Sequence, residues 1–87
     1  MLPPSRAKVT RAFGATIRAL RQQRGMSQET LALDAEVSRR YMSSLEQGRH
    51  NPSIHLVCRL LAHLKTSWVT YGAEFETHLR SEKNNSE

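Results

Sequence analysis

Apolar residues recur along this chain at the spacing of α-helices. In the first segment they stand three or four residues apart and form one face of a helix, made of Val9, Phe13, Ile17 and Leu20. Arg24 followed by Gly25 is typical of a helix end, because glycine readily adopts the left-handed conformation found there. No segment alternates apolar and polar residues as a half-buried strand does. The pattern therefore predicts an all-α fold whose first helix begins near residue 9.

Four later helices are predicted from serines that can cap the segments in which inward apolar residues recur. The candidate N-caps are Ser27, Ser38, Ser53 and Ser67. The expected inward residues of the second and third helices are Leu31, Ala32, Ala35, Met42 and Leu45. Those of the fourth and fifth are Ile54, Val57, Leu60, Leu61, Leu64, Trp68, Tyr71, Phe75 and Leu79, and we expect the Trp68 ring to pack on the core of its own domain. The prediction is a bundle of five short helices joined by short loops.

The length of 87 residues is sufficient for one domain. We expect a folded domain over residues 9–80, a flexible basic segment over residues 1–8 and a disordered polar tail over residues 81–87. The single cysteine, Cys58, cannot form a disulfide within the chain, which favours a reducing cytoplasm. No run approaches the roughly 18 apolar residues that span a bilayer, and no apolar signal segment opens the sequence, so no membrane partner is expected.

Positive charge is concentrated in the first third of the chain. The net charge is +5, and residues 1–24 contain six basic residues and no acid. Residues 67–87 instead contain four glutamates against one arginine and one lysine. This asymmetry favours a polyanionic partner near the front half. Arg6, Lys8 and Arg11 could lie as an arm along a nucleic-acid backbone or form a solvated basic tail, and both alternatives stay open.

The second and third helices form the layout of a helix-turn-helix. A helix of about nine residues is followed by a tight turn around Glu36 and Val37 and then by another helix. With Met42 and Leu45 facing inward, the outward residues of the third helix are Arg39, Arg40, Ser43, Ser44 and Gln47. A major groove about 12 Å wide admits one helix, and arginine can donate two parallel hydrogen bonds to guanine. The outward arginines and serines are therefore candidates for base contacts.

Three strings carry a resemblance to a known family. RQQRGMSQETLA over residues 21–32, VSRRYMSSLEQG over residues 37–48 and the Pro-Ser pair at 52–53 resemble the lambda- and 434-repressor/Cro-like helix-turn-helix family, also called the XRE family. The resemblance extends over residues 10–71. It implies a five-helix domain that binds a double-stranded DNA operator and regulates transcription, usually as a dimer.

The resemblance also implies roles for individual residues. Arg39, Arg40 and Ser44 match base-reading positions, and Arg21 and Glu46 match a structural salt bridge. Contacts to the DNA backbone are expected from Gln28, Ser38, Tyr41, Gln47, Arg49 and Asn51, and the charge and position of Arg24 and His50 add them as further candidates. Glu36 and Lys65 stand where the family often has glycine, so a left-handed backbone is expected at Glu36, at a cost of roughly 1 kcal/mol.

The fifth helix is expected to form a symmetric dimer contact. One small domain gains too little from a single half-site, so two copies normally bind about 34–36 Å apart on one DNA face. Val69, Phe75 and Leu79 are the candidate interface residues. The alternative function is an antitoxin or another protein-interaction module that uses this helix. No small-molecule effector and no cofactor is evident.

The metal and enzyme alternatives are weaker. His55, Cys58 and His63 share a helical segment, but residues 50–73 contain no Asp or Glu, and a structural zinc site normally needs four ligands. We instead expect surface histidines beside a buried cysteine. The chain has no glycine-rich phosphate loop, and a small bundle offers little cavity, so no catalytic site is expected.

Overall fold

The computed structural model describes residues 3–82, and over this range it contains five helices and no strand. The helices are α1 (Arg6–Gln23), α2 (Gln28–Ala35), α3 (Arg39–Glu46), α4 (Ile54–His63) and α5 (Trp68–Ser81). The predicted all-α, five-helix architecture is therefore confirmed. No helix in this range is long and apolar enough to cross a membrane.

Every helix begins directly after a serine whose side chain accepts a backbone N–H three residues later. The four N-caps expected from the sequence are all present, with N···O distances of 3.0 Å at Ser27, 2.9 Å at Ser38 and 3.1 Å at both Ser53 and Ser67. Each satisfies one donor of the first turn that has no partner within the helix.

The first and last helices extend beyond the domain bounds of 9–80 that the sequence predicts. Ser5 is a fifth N-cap, so α1 begins at Arg6 and residues 6–8 belong to a helix rather than to a flexible segment. At the other end, α5 includes Ser81, and Glu82 accepts a hydrogen bond from Nε of Arg11 at 2.6 Å. Residues 1–2 and 83–87, which the remaining terminal predictions concern, lie outside the described range.

The core consists of apolar side chains from the first four helices, and α5 covers it from one side. In this arrangement α1 packs against α3 and α5, and α2 packs against α3 and α4. The buried cluster contains Phe13, Ile17, Leu20, Leu31, Ala32, Ala35, Met42, Leu45, Val57, Leu60, Leu61 and Leu64. It includes all the inward residues expected for α2 and α3, which fixes the helix-turn-helix on the rest of the bundle.

Three residues expected inside are exposed. Ile54 is 69% and Trp68 is 48% exposed, and each is the first residue of its helix. The Trp68 ring makes a T-shaped contact with Tyr71, with ring centroids 5.6 Å apart. Cys58 is exposed as well, because it lies on the outer side of α4 next to buried Val57. Periodicity assigns Ile54 and Trp68 to the apolar face of a helix and does not show how far that face is covered.

The turn between α2 and α3 has the expected left-handed backbone at Glu36, with φ of 62°. Lys65 has φ of 51° in the turn between α4 and α5. At the turn between α2 and α3, Arg59 of α4 donates from Nη1 to the carbonyl oxygen of Ala35 at 2.9 Å. The same nitrogen lies 3.7 Å from Oε1 of Glu36. These contacts offset part of the strain and hold α2 on α4.

Candidate nucleic-acid interface

The outer face of α3 lines a polar cleft of about 520 Å³. The lining residues are Gln28, Arg39, Arg40, Ser43, Ser44, Gln47 and Arg49. The structure thus brings together every side chain proposed from the sequence for base contacts and adds three of the proposed backbone contacts. The residues come from the start of α2, from the whole of α3 and from the connector after it.

The position of α3 explains why these side chains face outward. Met42 and Leu45 are completely buried, which fixes the opposite side of the helix toward the core. Gly14 of α1 lies so close behind α3 that a Cβ atom there would stand 2.6 Å from the carbonyl oxygens of Leu45 and Glu46. The polar face of α3 is consequently directed to solvent by close packing from behind.

The charge of the cleft is positive. Three arginines line it, at positions 39, 40 and 49, and no carboxylate is among the lining residues. The nearest acid along α3, Glu46, is 8% exposed and points toward α1. Guanidinium groups concentrated on a concave polar surface attract phosphate and offer paired donors to base edges.

A buried network joins α3 to α1 and α2. Arg21 donates from Nε and Nη2 to the two carboxylate oxygens of Glu46, at 2.7 and 3.0 Å, so the salt bridge implied by the resemblance is present in a bidentate form. Nη1 of Arg21 donates to the carbonyl of Met26, and Nε2 of Gln28 donates to Glu46 Oε1 at 2.9 Å. Gln28 therefore lines the cleft and braces α3 at the same time.

Five residues proposed for contacts to the DNA backbone do not line the cleft: Arg24, Ser38, Tyr41, His50 and Asn51. The hydroxyl of Ser38 is occupied by its N-cap bond, and the ring of Tyr41 is stacked against His50. Asn51 borders a different, smaller cavity of about 150 Å³ beside α1 and α5. Of the backbone set, the structure brings Gln28, Gln47 and Arg49 to the cleft.

Arg24 has a structural partner that the sequence could not show. Its guanidinium donates to the carbonyl oxygens of Leu64 and Lys65, at 2.7 and 3.2 Å, and to the hydroxyl of Thr66 at 3.3 Å. These acceptors end α4 and form the turn with left-handed Lys65. The side chain proposed for phosphate binding thus caps the end of α4 at Leu64, 40 residues away in the sequence.

The N-terminal basic residues lie on α1, where the sequence had left open an extended arm or a solvated tail. Arg6 and Lys8 belong to the first turns of the helix, and Arg11 forms the ion pair with Glu82 at the end of α5. None of the three lines the cleft on α3.

The fifth helix carries apolar surface on its outer side. Val69 is 84% exposed, and neighbouring Trp68 adds to the same end of the helix. Phe75 and Leu79 are half-buried, and Phe75 packs on the core through a stacked pair with Tyr71, whose ring centroid lies 5.7 Å away. Burial raises the pKa of Tyr71 above its ordinary value of 10.0.

The histidine and cysteine side chains of α4 do not gather into a cluster. Nε2 of His55 lies 3.3 Å from Nη2 of Arg59, and Cys58 and His63 are exposed. Across residues 3–82, no group of three or more His, Cys, Asp or Glu residues is arranged to hold a metal ion.

Known proteins share both the sequence pattern and this arrangement. A family model described as a helix-turn-helix domain matches residues 12–70. An uncharacterised HTH-type transcriptional regulator of Sinorhizobium fredii (strain NBRC 101917 / NGR234), y4dJ, is 36% identical over 56 residues, which make up 64% of this chain and 73% of that protein.

Solved structures of regulators superpose closely on the bundle. The clp gene regulator ClgR from Corynebacterium glutamicum has a TM-score of 0.79 at 29% identity, over 84% of this chain and 78% of that one. The restriction-modification controller protein C.Esp1396I, crystallised as a tetramer in complex with its natural 35 base-pair operator, has a TM-score of 0.75 at 24% identity, over 83% and 95% of the two chains, and is similar in fold. The chain belongs to the helix-turn-helix family of transcription regulators, of the XRE type that its sequence resembles.

Proposed function

We propose that this protein is a sequence-specific DNA-binding regulator that places α3 in the major groove of an operator. The observation that carries the proposal is the cleft on α3, which unites the outward arginines and serines with Gln28 and Arg49 on one carboxylate-free surface. The proposed site of action is the cytoplasm, where a bacterial operator lies.

The dimensions of α3 suit this role. An α-helix with its side chains is about 10–12 Å across, which fits a major groove about 12 Å wide. Arg39 and Arg40 stand in the first turn, where a helix that enters the groove approaches the bases most closely. We assign base contacts to these two arginines together with Ser43 and Ser44. Backbone contacts are assigned to Gln28, Gln47 and Arg49, which lie at the borders of the same cleft.

The test of this proposal is selection of binding sites from random duplex DNA, followed by affinity measurements on the selected site. Arg39→Ala should cost about 1–3 kcal/mol on that site and relax the preference at one base position. Arg18→Ala is the matched control, because Arg18 is an exposed arginine on α1 that does not line the cleft. If the pool yields no preferred sequence, or if both variants bind alike, the proposal is wrong.

Phosphate contacts supply a second readout. If each subunit neutralises about three phosphates, a dimer makes about six contacts, and its affinity should fall about 10³-fold between 50 and 200 mM salt. An affinity that stays constant over this range would be incompatible with binding to the DNA backbone through this surface.

We propose further that the protein binds as a homodimer through α5, with Val69, Phe75 and Leu79 at the interface. Exposed Val69 supports this assignment together with its neighbour Trp68, because contiguous apolar surface marks interaction sites more often than a single exposed side chain does. The half-buried Phe75 and Leu79 continue the surface toward the end of the helix.

Sedimentation of Val69→Asp tests the interface. The variant should be monomeric at concentrations where the parent protein is a dimer, because a carboxylate would be buried without a partner. Leu33→Asp is the control, since Leu33 is 77% exposed on α2, away from α5. A parent protein that remains monomeric at high micromolar concentration would refute the dimer. An α5 variant that loses a protein partner while Arg39→Ala changes nothing would instead support the antitoxin or interaction module.

A further inference from the structure

The connector after α3 turns back on the helix that it follows. Gly48 has φ of 80°, its N–H donates to the carbonyl of Leu45 at 3.0 Å, and the N–H of Arg49 donates to the carbonyl of Ser44 at 3.2 Å. This pair of bonds is the Schellman pattern, which glycine permits. A Cβ at Gly48 would lie 2.7 Å from Cα of Arg11, so the turn is also pressed against α1. This turn places His50, two residues after Gly48, beside α3.

His50 is held there by two contacts. Its Nε2 atom lies 3.1 Å from Oγ of Ser44, at hydrogen-bonding distance. Its ring stacks on Tyr41, with centroids 4.5 Å apart and an angle of 31° between the planes. All three side chains are half-buried, which limits the freedom of the imidazole. The hydroxyl of Ser44, a member of the proposed base-contact set, is therefore held by a half-buried side chain of the connector after α3.

This bond restricts what the Ser44 hydroxyl can offer to DNA. A serine hydroxyl has one donor and two acceptor positions. When Nε2 of His50 carries no proton, it accepts the serine proton, and Ser44 can then only accept from the amino groups of adenine or cytosine. When Nε2 carries a proton, it donates to Oγ, and the serine proton is free for acceptors on guanine, adenine or thymine.

We propose that His50 is a positioning residue that determines base specificity through Ser44. It fixes the direction of the Ser44 hydroxyl and so decides whether the helix presents a donor or an acceptor at that point. The inference rests on the proposed function, because it concerns how α3 reads an operator. His50 itself does not line the cleft, so its effect reaches the DNA through the serine.

Ser43 provides a comparison within the same helix. Its Oγ accepts a hydrogen bond from Nε2 of Gln47 at 3.2 Å. The two residues are about one helical turn apart, and both line the cleft. This bond lies at the exposed surface, where water competes with it. Loss of His50 should therefore alter the readout at the Ser44 position and leave the readout at the Ser43 position unchanged.

The experiment measures base preference rather than affinity alone. Once a site has been selected from random duplex DNA, the full chain and its variants are titrated against that site and all its single-base changes. His50→Phe keeps a ring on Tyr41 and removes the hydrogen bond, whereas His50→Ala removes both. Ser44→Ala identifies the base position concerned, and His63→Phe controls for loss of an exposed histidine on α4. Thermal unfolding determines the folded fraction of each variant, by which its affinities are corrected.

We expect Ser44→Ala and His50→Phe to change the preference at the same base position by about 2- to 10-fold, the range of one hydrogen bond. The double variant should show no further change there, and His63→Phe should match the parent protein. The inference is overturned if His50→Phe and His50→Ala keep the preference that Ser44→Ala loses, or if Ser44→Ala changes no position. Failure of the proposed function is distinct, since it appears as the absence of any preferred site for the parent protein.

Discussion

Replacing Gly14 by alanine tests how closely α1 and α3 must approach. The added Cβ would stand 2.6 Å from the carbonyl oxygens of Leu45 and Glu46 and 2.9 Å from the carbonyl carbon of Glu46. All three atoms belong to backbone, so no flexible side chain can move aside. The end of α3 must retreat, and with it the carboxylate that pairs with Arg21.

The size of the effect follows from two opposing terms. Ordinary van der Waals contact begins near 3.4 Å, so the oxygens must move by about 0.8 Å. Overpacking of this kind costs about 1–3 kcal/mol or more, whereas alanine gains about 1 kcal/mol over glycine in a helix interior. Because two backbone oxygens are displaced, we take the upper part of the range and expect a net loss of about 2 kcal/mol. This loss corresponds to a fall in Tm of about 8–16 °C for a domain of this size.

Gly72→Ala is the matched control for this prediction. Gly72 also lies inside a helix, but a Cβ there would have nothing within 4 Å. Only the helical preference remains, so Gly72→Ala should stabilise the protein by about 0.5–1 kcal/mol. Urea unfolding followed by circular dichroism gives both free energies, and equal slopes would show that the unfolded state is unchanged. If Gly14→Ala is as stable as Gly72→Ala, the close contact behind α3 does not exist and our account of how α3 is positioned fails.

Three further predictions concern stability and pH. Glu46→Ala leaves the buried guanidinium of Arg21 unpaired, so we expect the free energy of unfolding in urea to fall by about 3–5 kcal/mol, and a fall below about 1 kcal/mol would contradict a structural role. Arg24→Met removes the hydrogen bonds to the turn after α4, so the free energy of unfolding in the same assay should fall by about 1–3 kcal/mol. The DNA affinity of the folded variant should equal that of the parent protein. A lower affinity would show that Arg24 does contact the DNA backbone. Because burial raises the pKa of Tyr71, the unfolded chain loses that proton first, so stability should be complete below about pH 10 and decline above it. In Tyr71→Phe this decline should be smaller than in the parent protein, and an identical decline would exclude Tyr71 as its source.

The starts of α2, α3, α4 and α5 were readable from short sequence segments because N-capping is local. A serine and the N–H three residues later lie within one turn. The N-caps Ser27, Ser38, Ser53 and Ser67 could therefore be predicted from the residues around them. Ser5 was missed because the apolar face that predicts the first helix begins only at Val9, four residues later. The outward face of α3 was equally accessible, since Met42 and Leu45 assign its inner side and the helical period assigns the rest.

Other features depend on residues that are distant in the sequence. Neither the period nor the charge of a segment shows that the Arg24 side chain reaches the carbonyl of Leu64, 40 residues later. Nor do they show how far the neighbouring helices extend over a given face. Trp68 is half exposed although its spacing matches the buried face. Spacing tells which side of a helix is apolar, and only packing tells how much of that side is covered.

The sequence by itself determined the five helices, the helix-turn-helix and the side chains on the outer face of α3, because capping and periodicity act within a few residues. The tertiary structure alone decided how those side chains are held. It brought Gly14 against the end of α3, joined Gln28 to Glu46, and returned His50 to Ser44. Contacts of this kind require helices that are already packed, since hydrogen bonds and steric contact extend only a few ångströms and the chain must bring their partners together.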